Sequence, residues 1–164
     1  MWSKSLPALV LVMLLTLSPA VGQAQEGAEL SPQITIESIS IEPSSPAADT
    51  LCKLKVTLQN HGTEIASQLD FKVKINDQDL PVYRNQIFMF PLAAGQAGEI
   101  ELYNFWSTET SRPMPKDGKL EVEVTLAAAQ WTKVAMEEEV EVWTPLGEVA
   151  GLPDSKSVTL DMKR

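Results

Sequence analysis

The chain has 164 residues, with 13 lysine and arginine residues against 22 aspartate and glutamate residues, one histidine and one cysteine. A formal net charge of −9 repels phosphate backbones and anionic lipid headgroups, so nucleic acid is not expected as a partner. A single cysteine excludes an intramolecular disulfide, so a hydrophobic core has to stabilise the fold alone. The part of the chain that follows the first 24 residues has the length of one domain.

The first 24 residues have the three-part pattern of a secretory signal peptide. Lys4 supplies the positive charge, an apolar run extends from Leu6 to Leu17, and small residues precede Ala24. The run is shorter than the roughly 20 residues that cross a bilayer as a helix, and no cysteine follows it for lipid attachment. We therefore predict cleavage near Ala24, a secreted or periplasmic product without a stable membrane anchor, and a flexible linker over residues 25–32.

From residue 33 onward, apolar and polar residues alternate with a period of two in short segments that turn-rich stretches separate. This pattern is typical of an antiparallel β-sandwich or barrel. The predicted strands lie in QITIESISIEP, LCKLKVTLQN, LDFKVKIN, LPVYRNQIFMFPL, EIELYNFW, KLEVEVTL, EEEVEVW and SVTLDM. We predict an all-β fold, a single immunoglobulin-like antiparallel β-sandwich of about 7–8 strands over residues 33–143. Residues 144–164 form a C-terminal extension with a candidate extra strand.

The phase of the alternation indicates which side chains face the core. Ile34 and Ile36 share one phase and Ile39 and Ile41 the other, which predicts a bulge between the two pairs. Cys52 is in phase with the aliphatic residues of its strand and is predicted to be buried. The stretch TLAAAQWTKVAMEEE is the one segment that suits a turn or two of helix, so Trp131 is expected between the last two core strands.

The charge pattern predicts which strands are neighbours. In an immunoglobulin-like arrangement, the third, sixth and seventh core strands lie side by side, with Val140 and Val142 of the last one facing inward. Lys72 and Lys74 would then share an exposed face with the glutamates at 121, 123, 139 and 141. Opposite charges on neighbouring strands favour pairing.

Three segments resemble the CARDB family, the cell-adhesion-related domain found in bacteria: QNHG from Gln59 to Gly62, PLAAGQAGEIEL from Pro91 to Leu102, and DGKLEVEVTL. The resemblance covers about residues 33–143. It implies an extracytoplasmic seven-stranded sandwich that acts as a binding domain or as a spacer, and it does not identify a ligand. The chain departs from the family where members carry an acidic residue and paired asparagines, because VAMEEEVEVW stands there, and the tail from Thr144 to Arg164 extends beyond the usual end.

No residue pattern points to catalysis or metal binding. His61 is the only histidine, whereas nucleophilic triads and zinc sites need histidine with partners from elsewhere. Asn76, Asp77 and Asp79 form an oxygen-rich cluster without the glycine and distal glutamate of an EF-hand, so a turn is favoured over a calcium site. Alternating glutamates suit a solvated strand face better than a glycosidase cleft. We predict no enzymatic activity, no catalytic residue, no metal and no cofactor.

Four aromatic residues are the candidate ligand-binding residues: Tyr103, Phe105 and Trp106 at the end of one strand, and Trp131. Aromatic side chains near loops suit sugar or protein recognition, although large rings also cap the cores of small sandwiches. The favoured function is a non-enzymatic exported bacterial domain, a protein-binding, adhesion-related or accessory module whose partner is a protein or cell-surface component. The alternative is a carbohydrate-binding module that uses Tyr103, Trp106 and Trp131. A hydrolase with an unrecognised site is a third hypothesis.

Overall fold

The structure is a computed structural model that describes residues 31–80, 87–88 and 90–163. The predicted signal peptide and most of the predicted linker lie outside these residues. Within the described ranges the regular structure consists of β-strands, and no helix there is long and apolar enough to span a membrane.

Two antiparallel sheets pack together, which confirms the predicted all-β sandwich. The first sheet has three strands in the order β1-β2-β6, namely β1 (Ile34–Glu42), β2 (Leu51–Asn60) and β6 (Ala97–Trp106). The second sheet contains β3 (Ile65–Ile75), β4 (Gln78–Asp79), β5 (Ile87–Phe88), β7 (Lys119–Glu137), β8 (Val140–Glu148) and β9 (Asp154–Asp161). In this sheet β3 pairs with β4, β5 and β7, and β7 also pairs with β8 and β9.

The core is built from the inward residues of the alternating segments. In β2 the side chain of Cys52 is buried with its aliphatic neighbours, whereas Lys53 and Lys55 point to the other face. In β7 the apolar residues from Leu120 to Leu126 alternate with polar ones in the same way and are fully buried. The period of two therefore predicted the core face of both strands.

The predicted bulge in β1 is present. The pairing of β1 with β2 shifts between Ile36 and Ser38, so the residues on the two sides of the shift can both face the core. Ile34, Ile36 and Ile41 are buried, and Ile39 packs against the core from a partly buried position.

The predicted pairing of the third strand with the sixth is confirmed, because β3 lies beside β7. The predicted place of the seventh strand was wrong in part: β8 pairs with the distal part of β7 from Gln130 to Glu137, whereas the KLEVEVTL part pairs with β9. Lys74 lies opposite Glu123, and its Nζ is 3.6 Å from Glu123 Oε2. Lys72 lies opposite Thr125. Attraction between opposite charges therefore supports the pairing of β3 with β7 at one position of the exposed face, between Lys74 and Glu123.

The expected break before Trp131 is absent, and the prediction of a loop or helical turn there was wrong. Residues Lys119–Glu137 form one continuous strand of 19 residues, with Trp131 inside it. Up to Thr132 the strand is paired with β3 along one edge, and along the other edge it is paired with β9 up to Leu126 and with β8 from Gln130. The β3 ladder, which pairs Asp70 with Ala128, overrides the helical preference of the alanines at 127–129.

The segment after residue 143 belongs to the second sheet. The strand predicted within SVTLDM is part of β9, which pairs with β7 from Lys119 to Leu126. Val149 and Met162 are buried in the core. The sandwich therefore continues past the boundary predicted at residue 143.

The outer edge of β1 is covered by side chains of β9. Asp154 Oδ2 accepts a hydrogen bond of 2.6 Å from the Ile36 backbone N–H. Lys156 Nζ donates to the backbone oxygens of Glu37 at 2.6 Å and Ile36 at 3.3 Å. These contacts use the backbone groups of Ile36 and Glu37 at the bulge, so they block strand addition at that part of the edge.

Candidate functional site

The most distinctive feature of the surface is a two-stranded ribbon that extends beyond the sandwich. Strand β3 begins at Ile65, which lies opposite Thr132, so β7 has no partner on that side after this position among the described residues. Beyond it, β7 pairs only with β8, from Lys133 opposite Thr144 to Glu137 opposite Val140. We call residues 133–144 the arm, and the end of the sandwich from which it extends the arm end.

A two-residue turn closes the arm. Glu138 and Glu139 have φ angles of 51° and 67°, which are left-handed values. A turn with two left-handed residues matches the right-handed twist of a hairpin, but asparagine and glycine are the residues that favour it. Glutamate at both positions therefore adopts a backbone conformation that its side chain disfavours.

Large apolar side chains of the arm are exposed. Met136 is 65% exposed, Val140 63% and Trp143 39%, and Leu146 at the base of the arm is 50% exposed. The prediction that Val140 faces the core was wrong, because the arm extends past the strands of the first sheet. Met136 and Trp143 share one face of the arm and Val140 lies on the other, so both faces expose apolar side chains beside charged ones, as protein interaction surfaces do.

Both backbone edges of the arm are open within the described part of the chain. In a hairpin with a two-residue turn, the residues that flank the turn form a hydrogen-bonded pair, and successive pairs alternate. The backbone groups of Glu141 and Trp143 therefore point away from β7, and those of Val134 and Met136 point away from β8. Pro145 follows at an outward position of β8, and it lacks an N–H to offer there.

The tip of the arm is strongly acidic. Glu137, Glu138, Glu139 and Glu141 surround the turn, and all four are exposed. The ion pairs formed among the described residues lie elsewhere in the molecule. Trp143 Nε1 donates to Glu141 Oε2 at 3.3 Å, so the indole ring and this carboxylate lie side by side.

The structure separates the four candidate aromatic residues. Phe105 is 1% exposed and belongs to the core, and Tyr103 packs against the core from a partly buried position. Trp106 is 48% exposed and lies opposite Leu51, at the end of the sandwich away from the arm. Trp131 contacts the turn after β2 at the arm end, about 30 Å from Trp106 along the strand direction.

Trp131 is part of a tightly packed turn. A Cβ atom at Gly62 would collide with the Trp131 ring, so the glycine of QNHG allows the indole to approach the backbone. The side chain of Asn60 is buried and organises the same turn. Its Nδ2 donates to the backbone oxygens of Glu64 and Leu92, both at 2.9 Å, and its Oδ1 accepts from Gly62 N at 2.8 Å.

The residues considered for metal binding have structural partners. Asn76 Oδ1 accepts from the backbone N of Glu121 at 2.9 Å, and Asn76 and Asp77 form a left-handed turn between β3 and β4. His61 is exposed, with Nε2 2.9 Å from Thr35 Oγ1. Among the residues that the structure describes, no group of three or more histidine, cysteine, aspartate or glutamate side chains is arranged to hold a metal ion.

A cavity of about 650 Å³ lies at the end of the sandwich away from the arm. Its lining mixes both charge signs and includes Asp77, Glu121, Arg112 and Lys116. The Arg112 side chain is buried, donates to the Trp106 backbone oxygen at 2.6 Å and lies 3.5 Å from Glu109. This arginine therefore stabilises the loop that follows β6.

A scan against models of known protein families found no match, and a search of curated proteins found no significant relative. Because these comparisons identify no site, the candidate site is chosen from the structure alone, and it is the arm. Its exposed apolar residues, open edges and acidic tip suit binding, and they supply neither a nucleophile with a base nor an enclosed pocket.

Proposed function

We propose that this protein is a non-enzymatic, exported bacterial module that binds another protein through its arm. The observation that carries the proposal is the exposure of Met136, Val140 and Trp143 on a ribbon that no other described strand covers. A two-stranded hairpin is only marginally stable in water. A partner that buries these side chains would stabilise the arm and remove apolar surface from water.

The export part of the proposal rests on the pattern of the first 24 residues. The adhesion-related part rests on the resemblance to the CARDB family. The two turn motifs of that resemblance are in contact, because Asn60 of QNHG donates to the Leu92 carbonyl of PLAAG. This contact supports the family proposal by giving both turns a common structural purpose.

The carbohydrate-binding alternative has less support. A sugar platform needs exposed rings near one another, but Trp106 and Trp131 lie at opposite ends of the sandwich. Trp106 and Leu51 would have to form such a platform by themselves. No arrangement among the described residues favours the hydrolase hypothesis.

Site-specific photo-crosslinking in the producing cell tests the proposal. A benzophenone amino acid replaces Trp143 in one variant and Trp106 in a control variant, since both side chains are exposed tryptophans at opposite ends. We expect a discrete protein adduct from position 143 and none from position 106. Adducts from position 106 alone, or from neither position, would contradict the proposal.

A further inference from the structure

We propose that the partner binds as a basic extended segment that adds a strand to the edge of β8 in the arm. This inference rests on the proposed function and names the chemistry of the partner. Strand addition uses main-chain hydrogen bonds for affinity and alternate side chains for specificity. The open backbone groups of Glu141 and Trp143 provide the hydrogen-bonding positions.

The charge of the arm selects between its two edges. The β8 edge carries Glu141, beside the exposed Glu139 of the turn, whereas on the β7 edge the charge of Glu137 is balanced by Lys133, the one basic residue of the arm. A basic strand is attracted to the first edge and meets a like charge at the second. Opposite charges on directly neighbouring strands stabilise pairing, and like charges oppose it.

The side chains of β8 define the pattern of the added strand. Glu141 and Trp143 share one face of the arm, and Val140 and Val142 lie on the other. Arginine fits the first face, because it pairs with the carboxylate and stacks on the indole. A branched aliphatic residue fits the second face. The partner segment therefore alternates arginine with valine or isoleucine.

The open edge is short. It runs from the turn to Pro145, which offers no N–H, so it accommodates about five residues of an added strand. Other occupants are less suited to it. An anionic membrane is repelled by the four glutamates around the turn, and two arms paired in parallel would bring two such acidic tips together.

The test uses a fluorescently labelled, end-capped peptide in which arginine alternates with valine. We expect saturable binding to the full mature chain, with amide shifts in the NMR spectrum confined to the arm. Replacing arginine with glutamate in the peptide should abolish binding. Methylating its backbone nitrogens should do the same, because strand addition needs the N–H groups.

Two charge reversals provide the matched variants. Glu141→Lys should weaken peptide binding by about tenfold or more, because an attraction between neighbouring strands becomes a repulsion. Glu121→Lys is the control, since Glu121 is also an exposed strand glutamate of the second sheet but lies outside the arm. Circular dichroism and melting temperature establish that both variants are folded.

Several results would overturn the inference. Equal binding to the two variants would indicate general charge attraction, and binding of the methylated peptide would exclude strand addition. A native dimer that becomes monomeric on Trp143→Ser would assign the arm to a second copy of the chain. If position 143 cross-links to a protein but the peptide does not bind, the proposed function stands and the basic-strand inference fails.

Discussion

Replacing Asn60 with alanine should destabilise the fold strongly, although the residue is polar and lies at the end of β2, next to a turn. Its buried side chain makes three hydrogen bonds that connect the turn, the residues after it and the chain around Leu92. A hydrogen bond contributes a net 0.5–1.5 kcal/mol, and an orphaned buried group costs more, so three lost bonds give about 2–4 kcal/mol. The Leu92 oxygen retains a hydrogen bond from Ala66 N at 3.0 Å, which favours the lower half of that range.

Urea unfolding followed by tryptophan fluorescence measures this loss, and a thermal scan should show a melting temperature about 10 °C lower. Asn104→Ala is the matched control, because Asn104 is exposed and makes one long contact, 3.4 Å from Nδ2 to Glu101 Oε1. Its free energy of unfolding should change by less than about 0.5 kcal/mol. Equal stabilities of the two variants would refute the assignment of Asn60 as the organiser of this turn.

Three further predictions concern other parts of the molecule. Lys156→Ala should expose the edge of β1 and increase aggregation measured by light scattering, whereas Lys72→Ala, an exposed lysine of the same sheet, should not. The Cys52 thiol should resist alkylation in the native protein and react after denaturation. The reason is that burial raises the pKa of the thiol, and the positive charge of Arg112 offsets this rise only in part. Equal alkylation rates in the native and denatured states would contradict the burial of Cys52. The hydrogen bond from Lys53 lowers the pKa of the Glu101 carboxyl below its ordinary value. The pair therefore stabilises the fold at neutral pH, and this stabilisation is lost as the pH falls through the lower, folded pKa. Lys53→Met should therefore reduce stability at neutral pH and flatten its acid dependence, which urea titrations at several pH values would measure.

Much of the sandwich could be predicted because local alternation and global burial agree. The inward phase of β2 and the bulge of β1 follow directly from the positions of the apolar residues. The length of β7 could not be predicted in this way. Its central alanines have little strand preference, and they are kept extended by pairing with β3 and by the β9 and β8 ladders that flank them in sequence.

The arm was missed for a related reason. Val134, Met136 and Trp143 lie on one of its faces and Val140 and Val142 on the other, so both phases of the segment are apolar. Such a pattern normally indicates a strand that is covered on both faces. Whether it is covered depends on where a distant strand begins, in this case at Ile65, and the local pattern carries no information about that position.

The continuity of β7 determines how the arm can vary. Its 19 residues extend about 60 Å, so core and arm share one unbroken backbone without a hinge between them. Matched pairs of residues added to both strands near the turn would lengthen the reach of the arm while every side chain keeps its face. A single residue added to each strand at the base of the arm would instead turn the whole distal ribbon over. Natural variation in the length of the arm should therefore occur in steps of two residues per strand.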